Sequence, residues 1–204
     1  YDFFELPDGK VGVAIADVSG KGLAGCLVMS MLSALLRAFK DERPSPSELL
    51  AELDARLAIT VRPGTFVTMF YGILDPLTGR LTYASAAHCP TLVFRRATAT
   101  VEIQYSTGIP LGAVRGGRIR ETLEDHVVLL EPGDMIVQYT DGVNETFDPS
   151  RREQFGMERI KTLLKTGIAK AAYPTMVVNS LRSVVHDHTD FSVTRDDSTV
   201  VALR

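Results

Sequence analysis

Three short stretches of this sequence place a carboxylate where an apolar segment ends. Val11 to Ala16 is a run of β-branched and small residues followed by Asp17 and then by Ser19-Gly20-Lys21-Gly22. Asp134 to Val143 repeats the arrangement, with an apolar segment ending on Asp141 and then Gly142. Near the C-terminus, Asp196 and Asp197 stand just before the apolar stretch Ser198 to Leu203. A carboxylate at the rim of a core is costly unless water, a hydrogen bond or a metal satisfies it. One such Asp is ordinarily a helix cap or a turn residue. Three of them, far apart in sequence and in the same local setting, predict one converging site. Carboxylate and carbonyl oxygens suit hard divalent cations such as Mg²⁺ and Mn²⁺.

Other reactive side chains carry less. Cys89 follows His88 directly, but adjacency in sequence is not the geometry of a thiol–imidazole pair. Cys26 lies among apolar neighbours and reads as a core residue. Two cysteines make no disulfide framework and fit a reducing, cytoplasmic setting. Lys21 reads either as a solvated residue at a helix start or as a phosphate contact.

The elements that position these residues follow from the pattern. Tyr1 to Leu6 and Val11 to Ala16 form a hairpin around Pro7-Asp8-Gly9-Lys10. Leu23 to Phe39 is a helix, apolar around most of its circumference. A second helix runs to about Ile59, capped by Ser45 or Ser47, with Leu49, Leu50, Leu53 and Leu57 on one stripe. Strands are predicted over Phe66–Leu74, Arg80–Ala86, Thr91–Arg96, Val101–Tyr105, Arg120–Leu129 and Met135–Tyr139, joined by short turns. Helices follow over Phe155–Thr166 and Tyr173–His186, and Ser198–Leu203 is the last strand. Helices segregated from antiparallel strands give an α+β class, with sheets layered between pairs of helices.

The 204 residues are 45% apolar and 23% charged, with a formal net charge of −3, an ordinary globular composition with no basic footprint for nucleic acid. No apolar run reaches membrane-spanning length. The chain opens in what reads as a strand, without an initiating Met, so a fragment of a longer protein is expected.

Eight segments occur in one order: Phe3 to Gly9, Ala16 to Gly22, Phe66 to Gly72, Thr82 to Pro90, Gly108 to Gly112, Glu131 to Asp134, Tyr139 to Val143, and Asp196 to Thr199. Together they resemble the bacterial PPM-type serine/threonine phosphatases of the SpoIIE and RsbU kind, relatives of eukaryotic protein phosphatase 2C. The resemblance spans essentially the whole chain as a single domain, 1–204. It implies an αββα sandwich (PP2C-like) of two antiparallel sheets flanked by pairs of helices. It implies a protein phosphatase that hydrolyses phosphoserine or phosphothreonine, often on an anti-sigma-factor antagonist of the STAS fold. Two Mn²⁺ or Mg²⁺ ions are expected in the complete domain, with a bridging hydroxide that attacks phosphorus. The implied metal ligands are Asp17, the backbone carbonyl of Val18, Asp141 and Asp196. Asp197 is read as an outer contact no more than as a solvated turn residue, and Lys21 as an outer or phosphate contact or a solvated residue. Where eukaryotic relatives carry a His near the first metal Asp this chain has Ser19, and many bacterial members have His in place of Lys21.

The family usually places Gly-Gly-Asp shortly before the position of Tyr1, and that Asp ligates the second metal. This chain starts after it, so an N-terminally truncated domain is expected, filling its first metal site before its second. An upstream sensor or regulatory domain and a homodimer are further expectations of the resemblance. The apolar residues Met29, Leu36, Leu50 and Leu57 read either as packed core or as a regulatory contact surface on the first two helices. A binding module that keeps the fold without catalysis is the alternative function. A metal phosphodiesterase finds no Walker-type loop in its favour.

Overall fold

The computed structural model describes residues 1–20, 22–42, 45–105, 107–150, 152–168, 173–189 and 197–204. Lys21 and Asp196 lie outside the described residues. The chain divides into two compact units, one formed by Tyr1–His88 and Ser106–Leu129, the other by Cys89–Tyr105 and Leu130–Arg204.

The first unit is a five-stranded antiparallel sheet with two helices. β1 (Asp2–Glu5), β2 (Val11–Val18), β3 (Val67–Asp75), β4 (Arg80–Ala86) and β7 (His126–Leu129) lie in the order β1-β2-β3-β4-β7. The β2/β3 ladder pairs Asp17 with Thr68 and Val18 with Val67. β2 is therefore two residues longer than the apolar run predicts, and Asp17 sits inside its last pair of rungs. Strand hydrogen bonding does not stop where apolarity stops.

α1 (Leu23–Phe39) and α2 (Pro46–Ala58) cover one face of this sheet. α2 starts where the sequence says: Ser45 Oγ accepts the Glu48 amide and Pro46 occupies the first turn. Its leucines Leu49, Leu50, Leu53 and Leu57 are fully buried against Met69, Tyr71, Ala84 and Ala86. Truncating such a leucine to alanine costs about 2–5 kcal/mol. α1 is different. Among its residues only Leu32 and Leu36 are buried, while Leu23, Leu27 and Met29 are exposed. Cys26 is exposed as well, which corrects its reading as core. A helix that is apolar all round does not declare which stripe is covered.

The segment expected as one strand over Arg120–Leu129 is two elements. A 3-10 turn at Arg118–Glu121 precedes β7. Ile119, within the turn, and Leu123, just after it, both enter the core of this unit.

The second unit is a four-stranded antiparallel sheet in the order β6-β5-β8-β9, from β5 (Thr91–Arg95), β6 (Thr100–Gln104), β8 (Met135–Tyr139) and β9 (Val200–Leu203). α4 (Met157–Ile168) and α5 (Pro174–His188) pack on it through Ile160, Leu164, Val177, Leu181 and Val185, against Leu92, Phe94, Met135 and Val137. The spacing of Val177, Leu181 and Val185 is one residue per helical turn on a single face. Two antiparallel sheets, each with a pair of helices, bear out the α+β class.

The turn before β8 holds a buried carboxylate. Asp134, 3% exposed, accepts from the Arg96 amide (2.9 Å), the Glu131 amide (3.2 Å) and Arg95 Nη1 (2.9 Å). Arg95 also makes a two-pronged pair with Glu102 at 2.8 and 3.0 Å. Burial pushes the Asp134 carboxyl up. The Arg96 amide, the Arg95 guanidinium and the Glu131 amide outweigh it and hold the group below the usual carboxylate range. A carboxyl depressed in the folded state stabilises above its unfolded pKa, and that stability is lost as pH falls through the folded value. Asp134→Asn is therefore expected to cost about 2 kcal/mol at neutral pH. The gap to the parent should shrink in acid below the usual carboxylate range, as urea unfolding at both pH values would show.

Candidate metal centre

The expected ligands among the described residues are Asp17 and Val18 in the first unit and Asp141 in the second. In the first unit, Asp17 and Val18 are the last two residues of β2 and both are half-buried. The chain leaves the sheet through Ser19, which is tied back twice. Its amide donates to the Phe66 carbonyl (2.9 Å) and its Oγ accepts from the Phe66 amide (2.7 Å). Gly20 and Gly22 then adopt positive φ, at 111° and 73°. Gly25, in the first turn of α1, lies so close to Gly20 that an added Cβ would sit 2.8 Å from its carbonyl oxygen. Ser19 thus has a structural task at the end of β2, whatever residue stands there in other chains. Beside it, buried His88 shares a 3.0 Å hydrogen bond through Nδ1 with the hydroxyl of Thr68, the ladder partner of Asp17.

In the second unit, Asp141 does not end β8. The strand stops at Tyr139, Thr140 is in extended conformation, and Asp141 opens the single-turn helix α3 (Asp141–Asn144). Threonine before a helix usually caps it with its own side chain. Here it does not. Its Oγ1 instead donates to the Asp197 carbonyl (3.1 Å) and accepts from the Thr199 amide (2.9 Å), while its amide donates to the Thr199 carbonyl (3.1 Å). Ser198 Oγ closes the arrangement by donating to the Gly142 carbonyl (2.8 Å). The Thr-Asp-Gly and Asp-Ser-Thr segments, 56 residues apart, are thereby locked together at one end of the β8/β9 pair. Sequence reasoning treated Thr140 and Ser198 only as letters of motifs. Their signal was the small hydroxyl residue beside each acid.

Inside this lock, Asp141 Oδ1 is buried and accepts no hydrogen bond among the described residues. A carboxylate oxygen in that position is unfavourable unless a cation or a donor meets it. It is a hard oxygen donor, so the residue fits a Mg²⁺ or Mn²⁺ ligand. Asp197, by contrast, is exposed, and its backbone carbonyl does the work described above. Among the described residues no group of three or more His, Cys, Asp or Glu side chains gathers to hold a cation. Asp196 lies outside those residues, so two of the three expected carboxylates are described, one in each unit.

Comparison with known proteins gives one coherent picture. Residues 7–204 match the family described as "Stage II sporulation protein E (SpoIIE)". The chain is 31% identical over 206 residues to phosphoserine phosphatase RsbU of Bacillus subtilis, which aligns with all of this chain and 58% of that protein. It is similar in structure to the RsbU and RsbW domains of Rv1364c from Mycobacterium tuberculosis, with a TM-score of 0.78 and 26% identity over 98% of this chain and 53% of that one. The PP2C phosphatase domain of the cell fate determinant SpoIIE from Bacillus subtilis gives the same TM-score at 19% identity, covering 98% of this chain and 56% of that one, a likeness of fold. The chain spans little more than half the length of each of these three proteins.

Proposed function

Because the chain belongs to the stage II sporulation protein E (SpoIIE) family, we propose that it is a metal-dependent protein serine/threonine phosphatase. Its substrate is a phosphoserine or phosphothreonine on an anti-sigma-factor antagonist of the STAS fold, which places the chain in sigma-factor regulation and stress signalling. The observation that carries this reading is the buried oxygen of Asp141, which has no hydrogen bond among the described residues, in a turn held by Thr140 and Ser198. Asp17, the Val18 carbonyl, Asp141 and Asp196 would hold the ions. When bound, Mg²⁺ or Mn²⁺ lowers the pKa of a water, presents it to phosphorus and neutralises charge on the phosphoryl oxygens.

The chain's own part is preorganisation. The β2/β3 ladder and the Ser19–Phe66 hydrogen bonds hold Asp17 and Val18 before any ion arrives. The Thr140 lock does the same for Asp141. Such fixing removes reorganisation from the chemical step. Lys21 and Asp197 are assigned outer roles, Lys21 as a point charge for phosphate. No serine, histidine or cysteine is needed as nucleophile.

Hydrolysis of p-nitrophenyl phosphate and of phosphoserine, phosphothreonine and phosphotyrosine peptides tests the reading. Turnover with Mn²⁺ or Mg²⁺, loss with chelator and discrimination against phosphotyrosine are expected. Turnover that survives chelation would overturn it. Among the described residues no helix is long and apolar enough to cross a membrane.

A further inference from the structure

Asp54 interrupts an apolar stripe. Leu50, Leu53, Asp54 and Leu57 follow the i, i+3, i+4, i+7 spacing of one helix face, and the three leucines are fully buried. Asp54 is buried with them, at 2% exposure. A leucine there would cost nothing in desolvation, whereas a carboxylate does. Burial accordingly raises the Asp54 carboxyl above its usual range, and the Gly112 amide pulls it part of the way back.

That amide shows what the carboxylate meets. Gly112 N–H donates to Asp54 Oδ1 at 2.7 Å. Gly112 has φ +76° and ends the Gly108–Gly112 loop. The preceding residue, Leu111, is fully buried and exchanges two backbone hydrogen bonds with Val67, at 2.8 and 2.9 Å. Val67 opens β3 and pairs on its other side with Val18. The neighbouring rungs are Asp17 with Thr68 and, beyond the ladder, Ser19 with Phe66. All of these residues lie in the first unit. One continuous set of hydrogen bonds thus leads from the middle of α2 to the end of β2. Gly108, at the other end of the loop, lies close against β4: an added Cβ would stand 2.4 Å from the Ser85 carbonyl oxygen.

We propose that Asp54 is a positioning residue: its buried carboxylate clamps the Gly108–Gly112 loop to α2, and the loop in turn fixes the β3 residues that hold Asp17 and Val18 in place. The consequence for metal binding rests on the function proposed above; the clamp itself does not. Asp54 touches neither substrate nor ion.

Two variants of the full chain separate this role from ordinary packing. Asp54→Asn keeps an acceptor for the Gly112 amide. Asp54→Leu suits the stripe, removes the acceptor and relieves the buried charge. Amide exchange in metal-free protein is expected to quicken about tenfold at Leu111, Gly112, Val67 and Ser19 in Asp54→Leu, and to stay near the parent in Asp54→Asn. Mn²⁺ affinity by calorimetry is expected to fall about tenfold in Asp54→Leu and to be kept in Asp54→Asn, as for partners that orient ligands from behind. Exchange at Val67 and Ser19 unchanged in Asp54→Leu would overturn the proposal. So would a uniform quickening over all amides with a matching fall in melting temperature, the mark of a core residue alone. Unchanged Mn²⁺ affinity in a parent that binds Mn²⁺ would also overturn it. A parent that binds no Mn²⁺ and hydrolyses nothing would remove the proposed function, and the exchange pattern would then decide the clamp by itself.

Discussion

Asp141→Asn is expected to lower Mn²⁺-dependent phosphate-ester hydrolysis on the order of a hundredfold, which corresponds to about 2.7 kcal/mol of transition-state stabilisation. The same change should leave the metal-free fold as stable as the parent or slightly more so. Both halves come from one oxygen. Asp141 Oδ1 is buried and meets no hydrogen-bond donor among the described residues, so without metal it carries a desolvation cost that none of them offsets. Asparagine keeps the shape, removes the charge and reduces that cost. A neutral amide oxygen, however, is a weaker ligand for a hard cation than a carboxylate. The measurements are melting temperature without metal and turnover across a Mn²⁺ titration. A scaffold residue would show the opposite split, with stability falling and the activity of the folded fraction intact. Parent-like turnover at saturating Mn²⁺ would remove Asp141 from the ligand set.

The acids at the ends of apolar segments were legible because each of them interrupts a pattern. The elements carrying them were legible for the same reason: Leu23–Phe39, Arg80–Ala86 and Met135–Tyr139 are found with the bounds the sequence suggests. What stayed hidden were relations between distant residues. Asp54 is visibly out of place in its leucine stripe, but its partner Gly112 is 58 positions away and offers only a backbone amide, which every residue but proline has. The lock between Thr140 and the segment after Asp196 is of the same kind, side chain to backbone across strands. The helical turn at Arg118–Glu121 was missed because its short polar surroundings give no run long enough to show a period. Asp141 was read as the end of a strand because apolar residues continue to Tyr139. The switch of backbone at Thr140 has no apolar signature.

Gly142→Ala carries the second large effect. Glycine after an aspartate invites an explanation from backbone freedom, yet Gly142 does not have a positive φ. The constraint is space. A Cβ built on Gly142 would lie 2.4 Å from the Asp197 carbonyl oxygen, 3.0 Å from its carbon and 3.2 Å from Ser198 Oγ. These are chiefly backbone atoms, held by the hydroxyl of Thr140 on one side and by the start of β9 on the other. They cannot swing aside as a side chain would. Overpacking against fixed atoms costs about 1–3 kcal/mol, and the upper end is expected here. Relief requires the Asp197–Ser198 backbone to move away from α3, which loosens the Thr140 and Ser198 hydrogen bonds that hold the turn of Asp141. Hydrolysis should therefore fall at least as far as in Asp141→Asn, with stability falling too. Urea unfolding and Mn²⁺-dependent turnover of the folded protein measure the two losses. Gly20→Ala serves as the contrast, since nothing lies within 4 Å of its Cβ and only its φ of 111° opposes the change. If Gly142→Ala proves as stable as the parent and binds Mn²⁺ equally well, the close packing of the two acidic segments is not what holds Asp141 in place.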